Sequence, residues 1–172
     1  MATTDPMVYV ANIAAYNASK LIGLWMIADV NLPEAIGEQT GTLGEEYRID
    51  DHSNFGPLKP TSIGEATAWG DLICDGRDPN IIAAAIERIA LNDRSDAAVI
   101  ERWIEDGMVG RYADREEYGY EMADLEFFGG TEMPTNLAFY FDAIRYAEGI
   151  EMGGDVSIID LDDGTIAVVS NH

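Results

Sequence analysis

Lysine is almost missing from this chain: Lys20 and Lys59 are its two lysines in 172 residues. Histidine is as scarce, with His52 and His172, and cysteine occurs once, at Cys74. Each shortage excludes something. One cysteine cannot form an internal disulfide, and with no histidine nearby in sequence Cys74 reads as a small core residue rather than a nucleophile. A zinc site gathers four Cys, His or acid ligands at close spacing. Two histidines so far apart, one of them the last residue, do not provide it. A Ser-His-Asp arrangement would have to use His52, which stands among Asp50, Asp51 and Ser53 and reads as part of a solvated turn. Neither GxGxxG nor GxxxxGK(S/T) is present, so nucleotide binding has no sequence support. Apolar runs are short, none near the ~18 residues of a membrane span, and Met1–Pro6 has neither the basic nor the apolar region of a signal peptide. A cytoplasmic protein without cofactor, metal or membrane contact is expected.

What the chain has in excess is acid. There are 32 Asp and Glu against 10 Lys and Arg, a net charge of −22. Such a surface repels nucleic acid and anionic membrane and attracts basic clefts. Hydrophobic residues make up 47% of the chain, enough for a core and too many for a disordered acidic tail. The charge is spread out: net −5 over residues 1–64, −6 over 65–110 and −11 over 111–172. No run of five like charges occurs, so the acids must coat folded elements.

The pattern along the chain predicts a β-rich start. Residues 1–6 read as a frayed leader. Met7–Ala14 forms a strand, Tyr16-Asn17-Ala18 a turn, and Leu21–Val30 a second, buried strand. Pro33 starts a helix through Gln39, as proline at a first helical position can. A third strand, Tyr47–Ile49, ends at Asp50-Asp51-His52. Helices follow. Ser62 to Glu65 is a capping box opening a helix that runs to Asp75-Gly76. Asp78-Pro79 starts the next, with Ile81, Ile82, Ala85, Ile86 and Ile89 as its apolar stripe. Ser95 caps a third, with Val99, Trp103 and Ile104 inward and Gly107 as the stop. Asp114 caps a helix reaching about Phe127. Pro134 or Thr135 begins a last long helix ending near Gly149. Val156–Leu161 and Thr165–Val169 are strands joined by Asp162-Asp163-Gly164, a hairpin signal. The fold class is α+β in three small domains: β-rich 1–61, helical 62–107 and mixed 108–172.

Calcium is the obvious partner for clustered acids, but Asp160 to Gly164 breaks the EF-hand register and lacks its closing glutamate. Paired carboxylates for glycoside hydrolysis can be found anywhere among 32 acids and discriminate nothing. Spacing says more. Glu117, Glu121 and Asp124 lie on one helical stripe, beside an apolar stripe of Tyr118, Met122 and Leu125 that anchors the helix. Duplex DNA carries one charge per ~1.7 Å of axis, so −22 corresponds to about 37 Å of duplex, or about 11 base pairs. Carboxylates on a rigid surface can stand in for phosphates at that density.

Val8-Tyr9-Val10-Ala11-Asn12-Ile13-Ala14-Ala15-Tyr16-Asn17-Ala18, followed by Leu21-Ile22-Gly23-Leu24-Trp25, resembles the N-terminal signature YVASLxxYNxGxLxGxW of ArdA antirestriction proteins. Glu45 to Phe55 resembles that family's EEWxIHDYEGF. Gly110 to Tyr118 resembles its GxYxSxEDF, and Pro134 through Leu137, Phe141-Asp142 and Tyr146-Ala147 resembles PxxLxxYFDYxxYA. Departures are local. Met26-Ile27-Ala28 replaces Ile-Asp-Ala, Asp50 stands where histidine is usual, and His52 and Ser53 replace Tyr and Glu.

The resemblance implies a non-enzymatic protein of a mobile element or phage, acting in a bacterial or archaeal host. It implies an elongated homodimer that mimics bent B-form DNA and fills the DNA-binding cleft of the methyltransferase core of a type I restriction–modification enzyme. It places dimer contacts in the third domain, for which Phe127, Phe128 and Met133 are the candidates. An acidic antirestriction segment corresponds to about Ala123–Glu132. The phosphate-replacing acids are then Glu45, Glu46, Asp50, Asp51, Asp71, Asp75, Asp78, Glu101, Glu105, Asp106, Asp114, Glu116, Glu117, Glu121, Asp124, Glu126 and Glu132. Phe139 and Ile144 read as core. Two alternatives stay open: an acidic enzyme or metal-binding protein from a salt-adapted organism, and an acidic inhibitor of some other DNA-binding defence protein.

Overall fold

The structure, a computed structural model, describes residues 4–13, 17–18, 23–40 and 47–172. It is mixed α and β, with seven helices and two three-stranded antiparallel sheets among the described residues. The chain divides into two compact units, Met1–Trp103 and Ile104–His172.

In the first unit, β1 (Met7–Asn12) is the middle strand, between β2 (Gly23–Ile27) and β3 (Tyr47–Ser53). Alternation sets its faces. Val8 and Val10 are buried, whereas Tyr9 lies opposite Trp25 on one side and Asp51 on the other, on the outer face. The register slips between Tyr9 and Val10, a bulge that accommodates an extra residue at Asp50. Four helices follow: α1 (Leu32–Thr40), α2 (Ile63–Cys74), α3 (Pro79–Arg88) and α4 (Ala97–Gly107), which runs through the division between the units. α2 presses close to the chain beyond β2. A Cβ at Gly70 would lie 1.7 Å from the Ala28 carbonyl oxygen, so glycine is required there. The Trp69 indole, buried beside it, donates to the Arg94 carbonyl at 2.7 Å.

The second unit contains β4 (Met108–Tyr112), α5 (Arg115–Phe128), α6 (Thr135–Ala138), α7 (Ala143–Gly153), β5 (Val156–Asp160) and β6 (Ile166–Ser170). Its sheet has the order β4-β6-β5, and Ile166 to Val169 of the middle strand are all buried. Tyr118 of α5 and Ala147 of α7 pack on Ile158, Ile166 and Val168. Gly119 lets α5 and α7 touch: a Cβ there would lie 2.0 Å from the Ala143 carbonyl oxygen. Asp162 to Gly164 makes the expected hairpin turn, with Gly164 at φ 84°.

Several expectations need correction. Pro6 is no frayed leader: it is buried, and its carbonyl accepts from the Ala28 N–H at 2.9 Å. β2 is short and half open, with Leu24, Trp25 and Ile27 exposed, as an edge strand allows; Leu21 and Ile22, like Tyr16 of the expected turn, lie outside the described residues. Asp50, Asp51 and His52 belong to β3, which continues past Ile49. Asp96, not Ser95, caps α4, its carboxylate accepting from the N–H groups of Ala98 and Val99. That shift buries Ile100 and Ile104, leaving Val99 and Trp103 half-buried. β4 went unforeseen because glycines at 107 and 110 read as breaks. The last long helix is two. α6 ends after one turn, and the Asp142 carboxylate restarts the helix by accepting from the Arg145 N–H at 3.0 Å. Leu125 points to solvent, and Met122 with Gly119 and Ala123 completes the anchoring face of α5. Phe139 is 83% exposed and Ile144 is exposed too, because the broken helix leaves no element over them. Cys74, at the end of α2, is exposed rather than core.

Candidate functional site

The expected acids do not form one uniform coat; they sort by what holds each carboxylate. At the start of α5, Asp114 accepts from the Glu117 N–H at 2.9 Å, and Glu117 reaches back to the Ala113 N–H at 2.6 Å. This is a reciprocal cap, placed where the helix dipole favours negative charge. One turn on, Glu121 accepts from the Tyr112 hydroxyl at 3.2 Å. Asp124, half-buried, accepts from the Met133 N–H at 2.8 Å and so closes the loop that follows the left-handed Gly129 and Gly130. Glu126 accepts from the Tyr146 hydroxyl of α7. Burial, the Glu121 charge and its hydrogen bond push Tyr112 up to about 12. Burial and the Glu126 hydrogen bond do the same to Tyr146. Glu116 and Glu132 are exposed.

All these partners are neutral donors, so Asp114, Glu117, Glu121, Asp124 and Glu126 keep their charge while their position is fixed. Two of the unit's three arginines pair elsewhere. Arg115 grips Asp160 with two hydrogen bonds, at 2.6 and 3.2 Å, and this holds the Asp160 carboxyl below the usual carboxylate range. Arg111 meets Asp163 at 3.0 Å. Asp163 is lowered chiefly by hydrogen bonds from Thr165, with Arg111 contributing.

The acids of the first unit are held differently. Asp50 pairs with Arg48 at 2.6 Å and Glu101 with Arg77 at 2.7 Å, so both are locally neutralised. Asp51, opposite Tyr9, accepts from the His52 N–H. Asp71 accepts from the Val30 N–H at 3.3 Å, and Asp78 caps α3 through the Asn80 N–H. Asp75 is exposed at the end of α2, and Glu105 and Asp106 at the end of α4. Glu45 and Glu46 lie outside the described residues. Partial burial, and after it the carboxylates of Asp5, Asp29, Asp71 and Asp75, push the Cys74 thiol up.

Phe127 is exposed, and Phe128 and Met133 are half-buried. With Leu137, Tyr140 and Phe141 they line an open apolar groove of about 310 Å³. Tyr112 and Tyr146, the tyrosines that hold the acids, have no signal in the sequence, since they reach α5 from other elements. Among the described residues, no group of three Cys, His, Asp or Glu is placed to hold a metal ion, and no helix is long and apolar enough to cross a membrane.

Against the curated proteins, no match is found. The family model described as antirestriction protein (ArdA) matches residues 8–163, which reaches into both units and takes in the whole of α5 and the tyrosines at either side of it. A match over nearly all of the chain places this protein in the ArdA family of antirestriction proteins.

Proposed function

We propose that the protein blocks type I restriction–modification enzymes by occupying the DNA-binding cleft of their methyltransferase core in place of B-form DNA. The observation that carries this reading is the carboxylate row of α5, fixed by neutral donors in a unit with few arginines. A cleft built for phosphates offers Lys and Arg at close spacing, and carboxylates that retain their charge meet them as phosphates do. The action is stoichiometric binding without catalysis, and needs no cofactor. Within the same proposal the chain works as three parts, 1–61, 62–107 and 108–172. It pairs with a second copy through the groove around Phe127, Phe128 and Met133, and it acts in the cytoplasm of a bacterial or archaeal host.

The test is competition. The purified protein is expected to displace a labelled duplex from a type I methyltransferase, with an affinity that falls steeply as sodium chloride is raised. Failure to displace duplex at low salt would defeat the reading, and displacement from a different basic defence nuclease would redirect it.

A further inference from the structure

We infer that Tyr112 and Tyr146 are positioning residues for target recognition: their hydroxyl groups lock Glu121 and Glu126 in place without neutralising them. The inference rests on the functional reading above and adds how its surface is made rigid. Two elements outside α5 supply the donors, β4 through Tyr112 and α7 through Tyr146. Both rings are themselves braced. Tyr112 packs on Tyr118 with ring centres 5.0 Å apart, and Tyr146 on Phe127 and Phe141 at 5.7 and 5.4 Å. The donor therefore arrives from a fixed point. Each bond uses one carboxylate oxygen, Oε1 of Glu121 and Oε2 of Glu126, and leaves the other for the partner's cation.

The alternative way to hold a surface carboxylate is an arginine, and this unit does so at Asp160 and Asp163. An arginine cancels the charge that a basic cleft would read. A phenol with its proton retained does not. Tyr112 and Tyr146 hold their protons up to about 12, well beyond the neutral range in which a target would be met. A glutamate that is already ordered loses less rotamer freedom on binding, which is the gain expected of preorganisation.

Two double-mutant cycles on the inhibition constant test this: Tyr146→Phe with Glu126→Gln, and Tyr112→Phe with Glu121→Gln. Phenylalanine keeps each ring and its packing. Each tyrosine change is expected to weaken inhibition about two- to threefold in the native background, no more than loss of its glutamate's charge. It is expected to cost nothing once its glutamate is Gln, because no charge remains to be placed. An equal cost in both backgrounds would mean that the tyrosines act through packing, and would overturn the inference. So would no cost in a native background that inhibits. A native protein that fails to inhibit defeats the functional reading alone. Carboxyl ¹³C relaxation of Glu121 and Glu126 in the unbound protein then decides the positioning role: motion unchanged by the Phe substitutions overturns it, and added motion supports it.

Discussion

The two units carry the same number of acids and differ in everything that offsets them. Met1–Trp103 and Ile104–His172 each contain 16 Asp and Glu, but the first holds seven Lys and Arg and the second three. Net charge is therefore −9 over 103 residues and −13 over 69. In the first unit, Arg48 and Arg77 cancel acids of the expected surface, Asp50 and Glu101. In the second, Arg111 and Arg115 engage Asp163 and Asp160 at the hairpin rather than Glu117, Glu121, Asp124 or Glu126. Acid content does not identify an acidic surface; the placement of a few arginines does.

The largest effect should come from removing charge where it is uncompensated. Changing Glu116, Glu117, Glu121, Asp124 and Glu126 together to their amides should weaken inhibition by about 1 to 5 kcal/mol, roughly fivefold to several thousandfold. Its salt dependence should flatten as well. Each single change should cost no more than a few-fold. The same treatment of Glu34, Glu38, Asp75, Glu87 and Asp93 in the first unit should cost distinctly less. Equal losses, read as inhibition constants for the two quintuple variants, would break the contrast. Amides are the right substitution because Glu117 and Asp124 accept backbone hydrogen bonds that alanine would abandon.

The next effect is structural and falls on both units alike. Gly70→Ala and Gly119→Ala each force a methyl group into a carbonyl oxygen, at 1.7 and 2.0 Å. Each should destabilise its own unit by about 1–3 kcal/mol, the usual cost of overpacking. Hydrogen exchange resolved by residue would show whether the loss stays within the unit that carries the change. Smaller still are the caps. Asp114→Ala should cost α5 about 1 kcal/mol and Ser62→Ala should cost α2 a similar amount, seen as shifts of the denaturation midpoint. The aspartate cap should lose part of its effect in high salt and the serine cap should not, since only the first is charged.

Much of the fold could be read from local signals. Ser62, Asp78 and Asp114 each start the helix they announce, and Asp162-Asp163-Gly164 turns its hairpin. These are contacts over two to four residues, and a sequence shows them directly. The misses have two causes, a local signal masked by a longer pattern and a partner far along the chain. The break before α7 depends on Asp142 outcompeting a continuous helix, and β4 depends on a partner strand, β6, more than 50 residues away. In the candidate surface, the stripe of Glu117, Glu121 and Asp124 followed from helical spacing. Their donors did not, because the Tyr112 hydroxyl arrives from β4 and the Met133 amide from a loop whose path only the fold defines.

The smallest prediction concerns alkaline pH. Tyr112 ionises at about 12 in the folded protein against an ordinary value of 10. The folded state then binds more proton than the unfolded state between those values, so its stability contribution, present below pH 10, is lost as pH climbs toward 12. Tyr112→Phe should soften this alkaline loss, and Tyr146→Phe should do so for the same reason. A second-unit melting midpoint that falls as steeply in both variants as in the native chain would remove the tyrosine–carboxylate coupling from the contrast between units.

Cys74 shows what the acid coat does to chemistry unrelated to any target. Thiolate, not thiol, attacks disulfides and alkylating reagents. The residue is exposed, yet partial burial of its thiol, and after it the charges of Asp5, Asp29, Asp71 and Asp75, favour the protonated form. Anionic oxidants and thiol carriers are also kept at a distance by the same field. An exposed lone cysteine ordinarily invites cross-linking between copies. Here partial burial of the thiol and the carboxylates around it both slow that reaction at its first step.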